Sequence, residues 1–390
     1  MTLRKPADAL LEGIQPQPAA SSAWKAYEAE LVTPLFGGGV EAGKVDPTMP
    51  FRAASIRGQL RFWWRIAHGP FASTEAMFQR EKEIWGGANE GGASQSKVWL
   101  RVSLASNPDQ VVAPAVDVRH NEAYALGPAF NKKTILLREG AVFQLMVRCD
   151  AAVAAQVETT LRWWSSFGGI GSRTRRGAGA VLLKALLPVT AREVEEKQGR
   201  LLCRLPEDTA RAAWHKAAAR LRNFRQGENL GRNKATPPSN LPGRSRWPEP
   251  DTLRALSGKH SERHKDRCVN GNFFPRAAFG LPIQFRFHPK DIGEPRSHIL
   301  LPLGAERMAS PLILRPYWDG EAWLPAALLL PGWEAAISQP LAFMGSLRYR
   351  PAAWPTGHAE RHAAAEQITP MKDRGTDALS AFMAYFGEAR

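Results

Sequence analysis

Residues 166–179, whose sequence is SFGGIGSRTRRGAG, contain five glycines that frame three arginines and two hydroxyl side chains, Ser172 and Thr174. Glycine lets the backbone approach a ligand closely, so several N–H groups can point outward toward one anion. Arginine adds planar, fork-shaped donors that match the oxygens of a phosphate. The stretch therefore predicts a cradle for a polyanion backbone, and a flexible, solvated basic turn is the alternative.

A second cationic pattern lies earlier in the chain, where Arg57, Arg61 and Arg65 recur every four residues. The apolar spacing around them predicts a helix over 56–67, capped by Ser55, with the arginines on a face of their own. A solvated helix face is the alternative for this arginine stripe. Trp63 and Trp64 fall on the apolar face, which favours packing in the core over stacking on bases.

A metal site is the other chemistry that the spacing suggests. His260, His264 and Cys268 recur every four residues, so a helix would place them on one face. Zinc usually takes four ligands in closely spaced pairs, and no second pair follows here. The segment is also rich in Lys and Arg, so a basic, solvated face is the favoured interpretation, and we expect neither a metal nor a cofactor. The glycine-rich stretch lacks the Gly-Lys-Ser/Thr of a nucleotide hydrolase and runs from helix to strand, the wrong order for such a loop.

Charge supports a polyanionic partner. The 390 residues carry a formal net charge of +15, and residues 200–300 hold 20 Lys and Arg against nine Asp and Glu. Nucleic acid is the leading candidate, because released counterions supply much of its affinity for basic proteins. Three widely separated cysteines indicate a reducing compartment. We see no signal peptide and no apolar run long enough for a span, so we expect a cytoplasmic protein with no membrane partner.

Hydrophobic periodicity predicts the elements that position these residues. In the first half, strands over 24–33, 97–104, 141–149 and 178–187 alternate with helices over 56–67 and 151–165, and a shorter helix spans 75–84. The main elements follow the order β-α-β-β-α-β, which is the ferredoxin-like arrangement. The predicted sheet lacks the paired aromatics of an ordinary RNA-recognition module, so loops and helix ends are expected to contact any RNA.

The second half predicts a further α+β domain. A basic helix over 207–226 is followed by strands over 282–288, 298–303, 312–318 and 323–330, and by a helix over 377–386. The domain boundaries that follow are a loose leader over 1–22, an N-terminal ferredoxin-like domain over 23–190 and a C-terminal one over 191–390. Residues 227–271, rich in Pro, Gly, Asn, Arg and Lys, are predicted to form a long loop or a partly disordered insertion.

Three motifs together resemble the RAMP superfamily of CRISPR proteins. They are TPLFGGG at 33–39, RAASIRGQLRFWWR at 52–65 and GIGSRTRRGAG at 169–179, and residues 279–283 and 307–316 agree with them. Within that superfamily the chain most resembles the first-numbered RAMP subunits of the Cmr (type III-B) effector complex. The resemblance covers most of the chain from about residue 24 onward, apart from the insertion at 227–271.

The resemblance implies two tandem ferredoxin-like domains and a place at the end of an RNA-guided ribonucleoprotein. The subunit would hold the 3′-side of the guide RNA and its duplex with target RNA, next to other RAMP subunits, in antiviral defence. Base pairing would read the sequence, while the protein would need only shape and backbone charge. The candidate RNA-binding residues are Arg52, Ser55, Arg57, Arg61, Arg65, Gly169, Gly171, Ser172, Arg173, Thr174, Arg175, Arg176 and Gly177.

Some RAMP proteins are ribonucleases, so an enzymatic alternative remains. One form uses an aspartate in the loop after the first strand, where Asp46 stands here, although Asp46-Pro47 also fits a turn. Others use a histidine, and His68 and His120 are the candidates, but the sequence fixes no second acid–base group near either. The subunits that the chain resembles do not carry target cleavage. A non-catalytic role is therefore the favoured prediction, with an endoribonuclease that uses Asp46 or His120 as the alternative.

Overall fold

The structure is a computed structural model that describes residues 23–41, 43–46, 48–89, 92–104, 111–112, 120–127, 136–234, 243–287, 292–344 and 354–389. The strands described are β1 (Lys25–Leu31), β2 (Leu35–Phe36), β3 (Gly87–Asn89), β4 (Gly92–Ser94), β5 (Val98–Leu104), β6 (Val111–Val112), β7 (Leu136–Leu137), β8 (Val142–Cys149), β9 (Val181–Leu182), β10 (Arg200–Cys203), β11 (Ile283–Phe285), β12 (His298–Pro302), β13 (Leu312–Trp318), β14 (Trp323–Leu329) and β15 (Leu341–Met344). The helices described are α1 (Ala53–His68), α2 (Thr74–Trp85), α3 (His120–Leu126), α4 (Ala154–Phe167), α5 (Ala191–Glu196), α6 (Ala210–Gln226), α7 (Glu249–Ser257), α8 (His358–Glu366) and α9 (Ala378–Gly387).

The first half contains a four-stranded antiparallel sheet with the spatial order β5-β8-β1-β9. With α1 after β1 and α4 after β8, the main elements follow the predicted order β-α-β-β-α-β. Alternation along β8 buries every second side chain, among them Phe143 and Leu145, on the face that the two helices cover. The opposite face is at least partly exposed along β1, β5 and β8.

Helix α1 packs against α4 because its apolar positions fall on one face. Ile56, Leu60 and Trp64 are fully buried, and Trp63 is 1% exposed, so the prediction that both tryptophans lie in the core is confirmed. The predicted cap is wrong, however. The helix begins at Ala53 after Arg52, with no side-chain cap, and Ser55 therefore lies inside its first turn.

The predicted strand over 178–187 is much shorter in the structure. Only β9 is a strand there, extended by an isolated bridge between Gly169 and Ala180. Beyond β9 the Leu183 amide donates to the Ser165 hydroxyl (2.8 Å), which belongs to α4. The chain therefore leaves the sheet early, because a side chain of the neighbouring helix takes the place of a strand partner.

The second half is mixed α and β with two antiparallel three-stranded sheets, β10-β14-β13 and β11-β12-β15. Asp319 forms the turn between β13 and β14 by accepting from the Glu321 and Ala322 amides (2.8 and 2.7 Å). The α+β class is confirmed. A second ferredoxin-like domain stays a prediction, since the described strands of this half are split between two sheets.

The prediction of a long loop over 227–271 is wrong for part of that range. Helix α7 lies within it and buries two carboxylates, Glu249 and Asp251. Asp251 binds Arg244 and Arg254 at 2.9 and 2.7 Å, so the Lys/Arg-rich composition reflects internal ion pairs as well as surface charge. Composition alone resembles that of an unstructured segment because it does not show which charges are paired.

One apolar core joins the two halves. Phe167 on α4 stacks on Tyr317 of β13, with ring centroids 5.8 Å apart, and the Tyr317 hydroxyl donates to the Val189 carbonyl (2.8 Å). Ile313 and Leu328 belong to the same cluster of buried side chains as the N-terminal sheet. Among the described residues no helix is both long and apolar enough to cross a membrane.

Candidate nucleic-acid interface

The glycine- and arginine-rich stretch, here called the glycine–arginine loop (168–179), uses most of its amides internally. The N–H groups of Ile170, Ser172 and Gly179 donate to the carbonyls of Gly179, Phe36 and Pro34 at 2.7–2.9 Å. Those of residues 168, 176, 177 and 178 are also bonded within the chain. The prediction that these N–H groups point outward together is therefore wrong for these seven, because they close the loop upon itself and upon residues 34–36.

Two residues in the left-handed region give the loop its shape. Arg173 has a φ of 64° and Gly177 a φ of 84°, with a single 3-10 turn between them. At Gly177 an added Cβ would lie 2.6 Å from the Leu314 carbonyl oxygen and 2.5 Å from Cδ1 of Trp214. The backbone here touches both β13 and α6, so only glycine fits.

Two predicted RNA ligands in the loop instead bind the second half of the chain. The Arg175 guanidinium donates to the Ser310 carbonyl and lies over the Phe62 ring, 5.3 Å from its centroid. Arg176 donates to the Phe279 carbonyl (3.2 Å). Burial lowers the pKa of both side chains, that of Arg176 to about 10 with the nearby charges of Arg225 and Arg173 adding to the effect.

Arg315 of β13 makes the reciprocal connection. This side chain is 2% exposed and donates to the carbonyls of Gly168 (2.6 Å), Val181 (3.3 Å) and Pro316 (2.8 Å). Burial lowers its pKa to about 9, so the guanidinium remains charged at pH 7. Carbonyl oxygens therefore satisfy this charge, and they fix the glycine–arginine loop against the second half of the chain.

Arg173 is the exposed arginine of the loop. Within the part of the chain that the structure describes, its side chain has no hydrogen bond and no ion pair. Its guanidinium lies beside Gly127, where an added Cβ would be 3.8 Å from Nη2. A rigid backbone thus presents an unpaired guanidinium to solvent, which is the arrangement that a phosphate contact requires.

The arginine stripe of α1 is occupied by protein groups. Arg57 donates to the Val98 carbonyl (2.9 Å) and the Ser96 hydroxyl (2.6 Å), and burial lowers its pKa. Arg61 and Arg65 both bind Glu81 of α2, a side chain that is 1% exposed. These arginines join α1 to α2 and to the start of β5. Each of the Arg61 and Arg65 side chains stays about one-third exposed, so part of each guanidinium remains accessible to solvent.

The other candidate positions surround a contact between two glycine-rich loops. Arg52 donates to the Gly38 carbonyl, and an added Cβ at Gly38 would lie 3.1 Å from Cα of Gly171. An added Cβ at Gly37 would lie 2.8 Å from the Ser172 hydroxyl oxygen. Thr174 is half-buried against Gly169, and Ser55 is half-buried within α1. The predicted residues are thus brought together, but most of them build the loop rather than face solvent.

Three arginines that are absent from the list of candidate RNA-binding residues, Arg225, Arg232 and Arg276, extend the site. We define the basic cluster as Arg173, Arg176, Arg225, Arg232 and Arg276. Their charges couple. Burial lowers the pKa of Arg276, and the charge of Arg225 lowers it further. Burial also lowers the pKa of Arg232, and the charge of Arg276 adds to that effect. Glu249 binds Arg276 at 3.0 Å. Nη1 of Arg176 and Nε of Arg225 are buried with no hydrogen-bond partner among the described residues. Donors without acceptors in a basic surround favour an anion.

A groove of about 190 Å³ opens next to the loop, between α1 and β13. Phe62, Trp63 and Phe167 supply its aromatic walls, and Thr174 and Arg175 border it. The indole Nε1 of Trp63 is buried with no hydrogen-bond acceptor in the described residues. The groove therefore has aromatic walls directly beside the glycine–arginine loop, and half-buried Phe62 is the most exposed of its three aromatic rings.

The candidate catalytic residues have structural partners. Asp46 accepts from Thr48 and Met49 amides (both 3.0 Å), and these bonds, led by Met49, lower its pKa. Asp46 thus holds a turn, as the alternative interpretation stated. His68 bonds to the Gln156 carbonyl (3.1 Å), and burial lowers its pKa. The backbone of His120 begins α3, and its side chain lies outside those described.

The proposed metal spacing forms no metal-binding cluster in the described residues. His264 lies in a 3-10 turn and bonds through Nδ1 to the Ser261 hydroxyl (3.0 Å) and Glu294 (2.7 Å). Arg254 also binds Glu294 at 2.8 Å. His264 is therefore part of a hydrogen-bonded network around α7. In that network the Arg254 guanidinium, rather than a metal ion, lies next to the Glu294 carboxylate.

Residues 28–182 match the family model of the RAMP superfamily, so the predicted resemblance is confirmed over that part of the chain. Among individual relatives, the chain is similar to the CRISPR system Cmr subunit Cmr1-2 of Pyrococcus furiosus. The two are 24% identical over 196 residues, covering 41% of this chain and 95% of the relative.

Two solved structures are also similar to this chain. The apo crystal structure of Cmr1 from Pyrococcus furiosus superposes with a TM-score of 0.46 at 15% identity, over 83% of this chain and 98% of that one. A chain of the type III-B Cmr-beta complex bound to cognate target RNA gives a TM-score of 0.40 at 11% identity, over 78% and 94% of the two chains.

Proposed function

We propose that this chain is a non-catalytic, RNA-binding subunit of a type III-B CRISPR (Cmr) effector complex. It would hold the 3′-side of the guide RNA and its duplex with target RNA, beside other RAMP subunits. The RAMP match over 28–182, the likeness to a Cmr subunit and the net charge of +15 support this proposal. We further propose that the chain is built as two tandem ferredoxin-like domains, 23–190 and 191–390, of which the first has the required β-α-β-β-α-β order.

The observation that carries the proposal is the exposed guanidinium of Arg173, which is unpaired among the described residues. It lies on a loop that hydrogen bonds hold to both halves of the chain. A contact to RNA phosphate gains most when the cation is already positioned, because less side-chain and backbone freedom is lost on binding. The remainder of the basic cluster continues from Arg173 across the junction with the second half of the chain. A polyanion laid along this line would neutralise several arginines at once.

The groove beside the loop suits a base that leaves the RNA stack. Half-buried Phe62 would pack on one face of that base. The phosphate next to that base would then lie near Thr174 and the glycine–arginine loop. The groove and the cluster thus offer complementary sites for the two chemical parts of one nucleotide.

Arg173→Ala is expected to weaken binding of single-stranded RNA about fivefold, or roughly 1 kcal/mol, since one phosphate contact is lost. It should also lower the slope of log Kd against log salt by about 0.7. Fluorescence anisotropy of the full chain with a labelled 20-nucleotide RNA at four salt concentrations measures both. Arg175 is left intact, because its replacement would also remove the contact with Ser310.

The matched control is Arg192→Ala, which removes the same charge from an exposed helix position where, within the described part of the chain, the side chain binds only Glu196. We expect this variant to bind RNA nearly as tightly as the wild type. Equal loss in both variants would mean that net charge alone determines binding, and an unchanged Kd in the Arg173 variant would reject the proposed contact.

The non-catalytic part of the proposal predicts that the purified chain leaves RNA intact. Asp46 is held by the turn that it caps, and His68 is bonded to a carbonyl, so neither is placed as a general base. End-labelled guide and target RNAs incubated with the protein, with and without Mg²⁺ or Mn²⁺, should show no new products. A product that disappears in Asp46→Asn or His120→Ala would establish the ribonuclease instead.

A further inference from the structure

The open face of the four-stranded sheet carries an aromatic and cationic cluster that lies away from the glycine–arginine loop. Arg148 on β8 lies over two indole rings, with its guanidinium carbon 5.3 Å from the Trp24 centroid and 4.6 Å from the Trp99 centroid. Arg101 on β5 lies 4.5 Å over the same Trp24 ring. We call Trp24, Trp99, Arg101 and Arg148 the sheet platform.

Strand register explains why these four side chains meet. Trp99 pairs directly with Arg148 across β5 and β8, and Arg101 is two residues further along β5, on the same face. Trp24 immediately precedes β1, whose Lys25 pairs with Val147 of β8. The helices α1 and α4 cover the opposite face, and all four platform side chains are partly or fully exposed.

The platform has an excess of positive charge. Two guanidinium groups share one indole ring, and within the described residues neither has a hydrogen bond or an ion pair with a carboxylate. A guanidinium that lies over an aromatic ring keeps its N–H donors at its edges, where they can bind an oxyanion. An anion between Arg101 and Arg148 would relieve their mutual repulsion and satisfy those donors.

The acidic groups of this face lie at its other end. Glu28 on β1 is exposed four residues beyond Trp24, and Glu30 binds Lys184 at 2.7 Å. The face is therefore divided into an aromatic, basic end and an acidic end. A polyanion that also presents flat apolar surfaces fits the first end alone, and single-stranded nucleic acid has both properties.

We propose that the sheet platform binds a single-stranded segment of RNA, with bases stacked on Trp24 and Trp99 and phosphates on Arg101 and Arg148. This inference rests on the proposed function and adds a second, sequence-independent contact for the same RNA strand on another face of the chain. A sheet that faces RNA is also the arrangement that the sequence alone argued against, since no paired aromatics were visible within the predicted strands.

The test uses the full chain and a 3′-fluorescein-labelled 20-mer of uridines, a probe whose bases stack weakly on one another. The combined variant Trp99→Leu/Arg148→Gln should bind about tenfold more weakly, because stacking of one base and one phosphate contact are lost. Arg101→Gln alone, at an exposed position that cannot disturb the core, should bind about threefold more weakly and lower the salt slope by about 0.7.

The matched control removes the same charge elsewhere, with Arg286→Gln at the exposed position that follows β11, and should leave Kd unchanged. With 4-thiouridine in the probe, cross-links to peptides that contain Trp24 or Trp99 would support the platform directly. If the platform variants bind the probe like the wild type while Arg173→Ala does not, the platform proposal is rejected and the proposed function stands.

A protein partner is the competing occupant, and the same variants detect it. Platform variants that retain RNA affinity but no longer co-purify with the other Cmr subunits would reject the RNA assignment in favour of a subunit interface. If Arg173→Ala and the platform variants all bind the probe like the wild type, the proposed function and the platform fail together.

Discussion

Arg315→Ala is expected to lower the free energy of unfolding by about 3 kcal/mol, through the loss of three buried hydrogen bonds. The carbonyls of Gly168, Val181 and Pro316 would each lose a charged donor in a place that water cannot readily reach. Removing a buried charge offsets part of this cost, because burial already disfavours the charged guanidinium. The cavity left by a long side chain adds to the cost again.

Urea unfolding followed by tryptophan fluorescence measures this change. Arg315→Met separates the causes, because it fills most of the space but donates no hydrogen bond, and we expect it to recover only part of the loss. Arg286→Ala, at an exposed position just after β11, serves as the control and should change stability by less than about 0.5 kcal/mol. Wild-type stability in Arg315→Ala would show that the three carbonyls find other donors.

Gly177→Ala is expected to cost about 3–5 kcal/mol and to disturb the glycine–arginine loop. Its φ of 84° costs a non-glycine residue about 1–2 kcal/mol. The added methyl group would also lie 2.6 Å from the Leu314 carbonyl oxygen and 2.5 Å from Cδ1 of Trp214. Relief of that overlap would displace Trp214, whose indole donates to the Arg176 carbonyl at 2.6 Å.

Gly258→Ala is the matched control for this prediction. Gly258 has a φ of 62°, and no other atom lies within 4 Å of an added Cβ, so only the left-handed strain of about 1–2 kcal/mol applies. The difference between the two variants in urea unfolding isolates the steric part. Similar losses of stability in both would mean that the loop moves to make room, and RNA affinity of the Gly177 variant would then report how far it moves.

Local periodicity correctly predicted the helices and strands whose formation depends on the spacing of nearby apolar residues. The helix expected over 56–67 is α1, the strand expected over 312–318 is β13 with the same bounds, and the helix expected over 377–386 is α9, one residue further along. In each case the apolar spacing that made the prediction also makes the buried face. Capping and strand ends were predicted less well, because they depend on single hydrogen bonds such as that from Leu183 to Ser165.

The candidate site was located correctly in the chain, but the roles of its residues were not visible. Arg175 and Arg176 have the composition of a phosphate site, yet their acceptors are carbonyls more than 100 residues away. No local pattern encodes such partners. One feature of the sequence did indicate that the stripe of Arg57, Arg61 and Arg65 has protein partners. Glu81 falls on the apolar face of α2, four residues before Trp85, and a buried carboxylate requires cations.

The sheet platform is a surface that could not be predicted from the sequence, although its residues are easy to place on strands. Trp99 and Arg101 share a face of β5 by simple alternation, and Trp24 precedes β1. What the sequence did not show is that β8 lies between them and contributes Arg148 to the same face. Aromatic residues on strands that are distant in the chain become one surface only after the strand order is known.

The reciprocal hydrogen bonds across the glycine–arginine loop also set an order of events during synthesis. Arg175 and Gly168 find their partners 135 and 147 residues later in the chain, at Ser310 and Arg315. At about 5–20 residues per second, that interval lasts roughly 7 to 30 seconds. Until β13 has left the ribosome, the glycine–arginine loop of the nascent first half lacks these hydrogen-bond partners. The loop that would hold RNA is therefore completed only once most of the chain has been made.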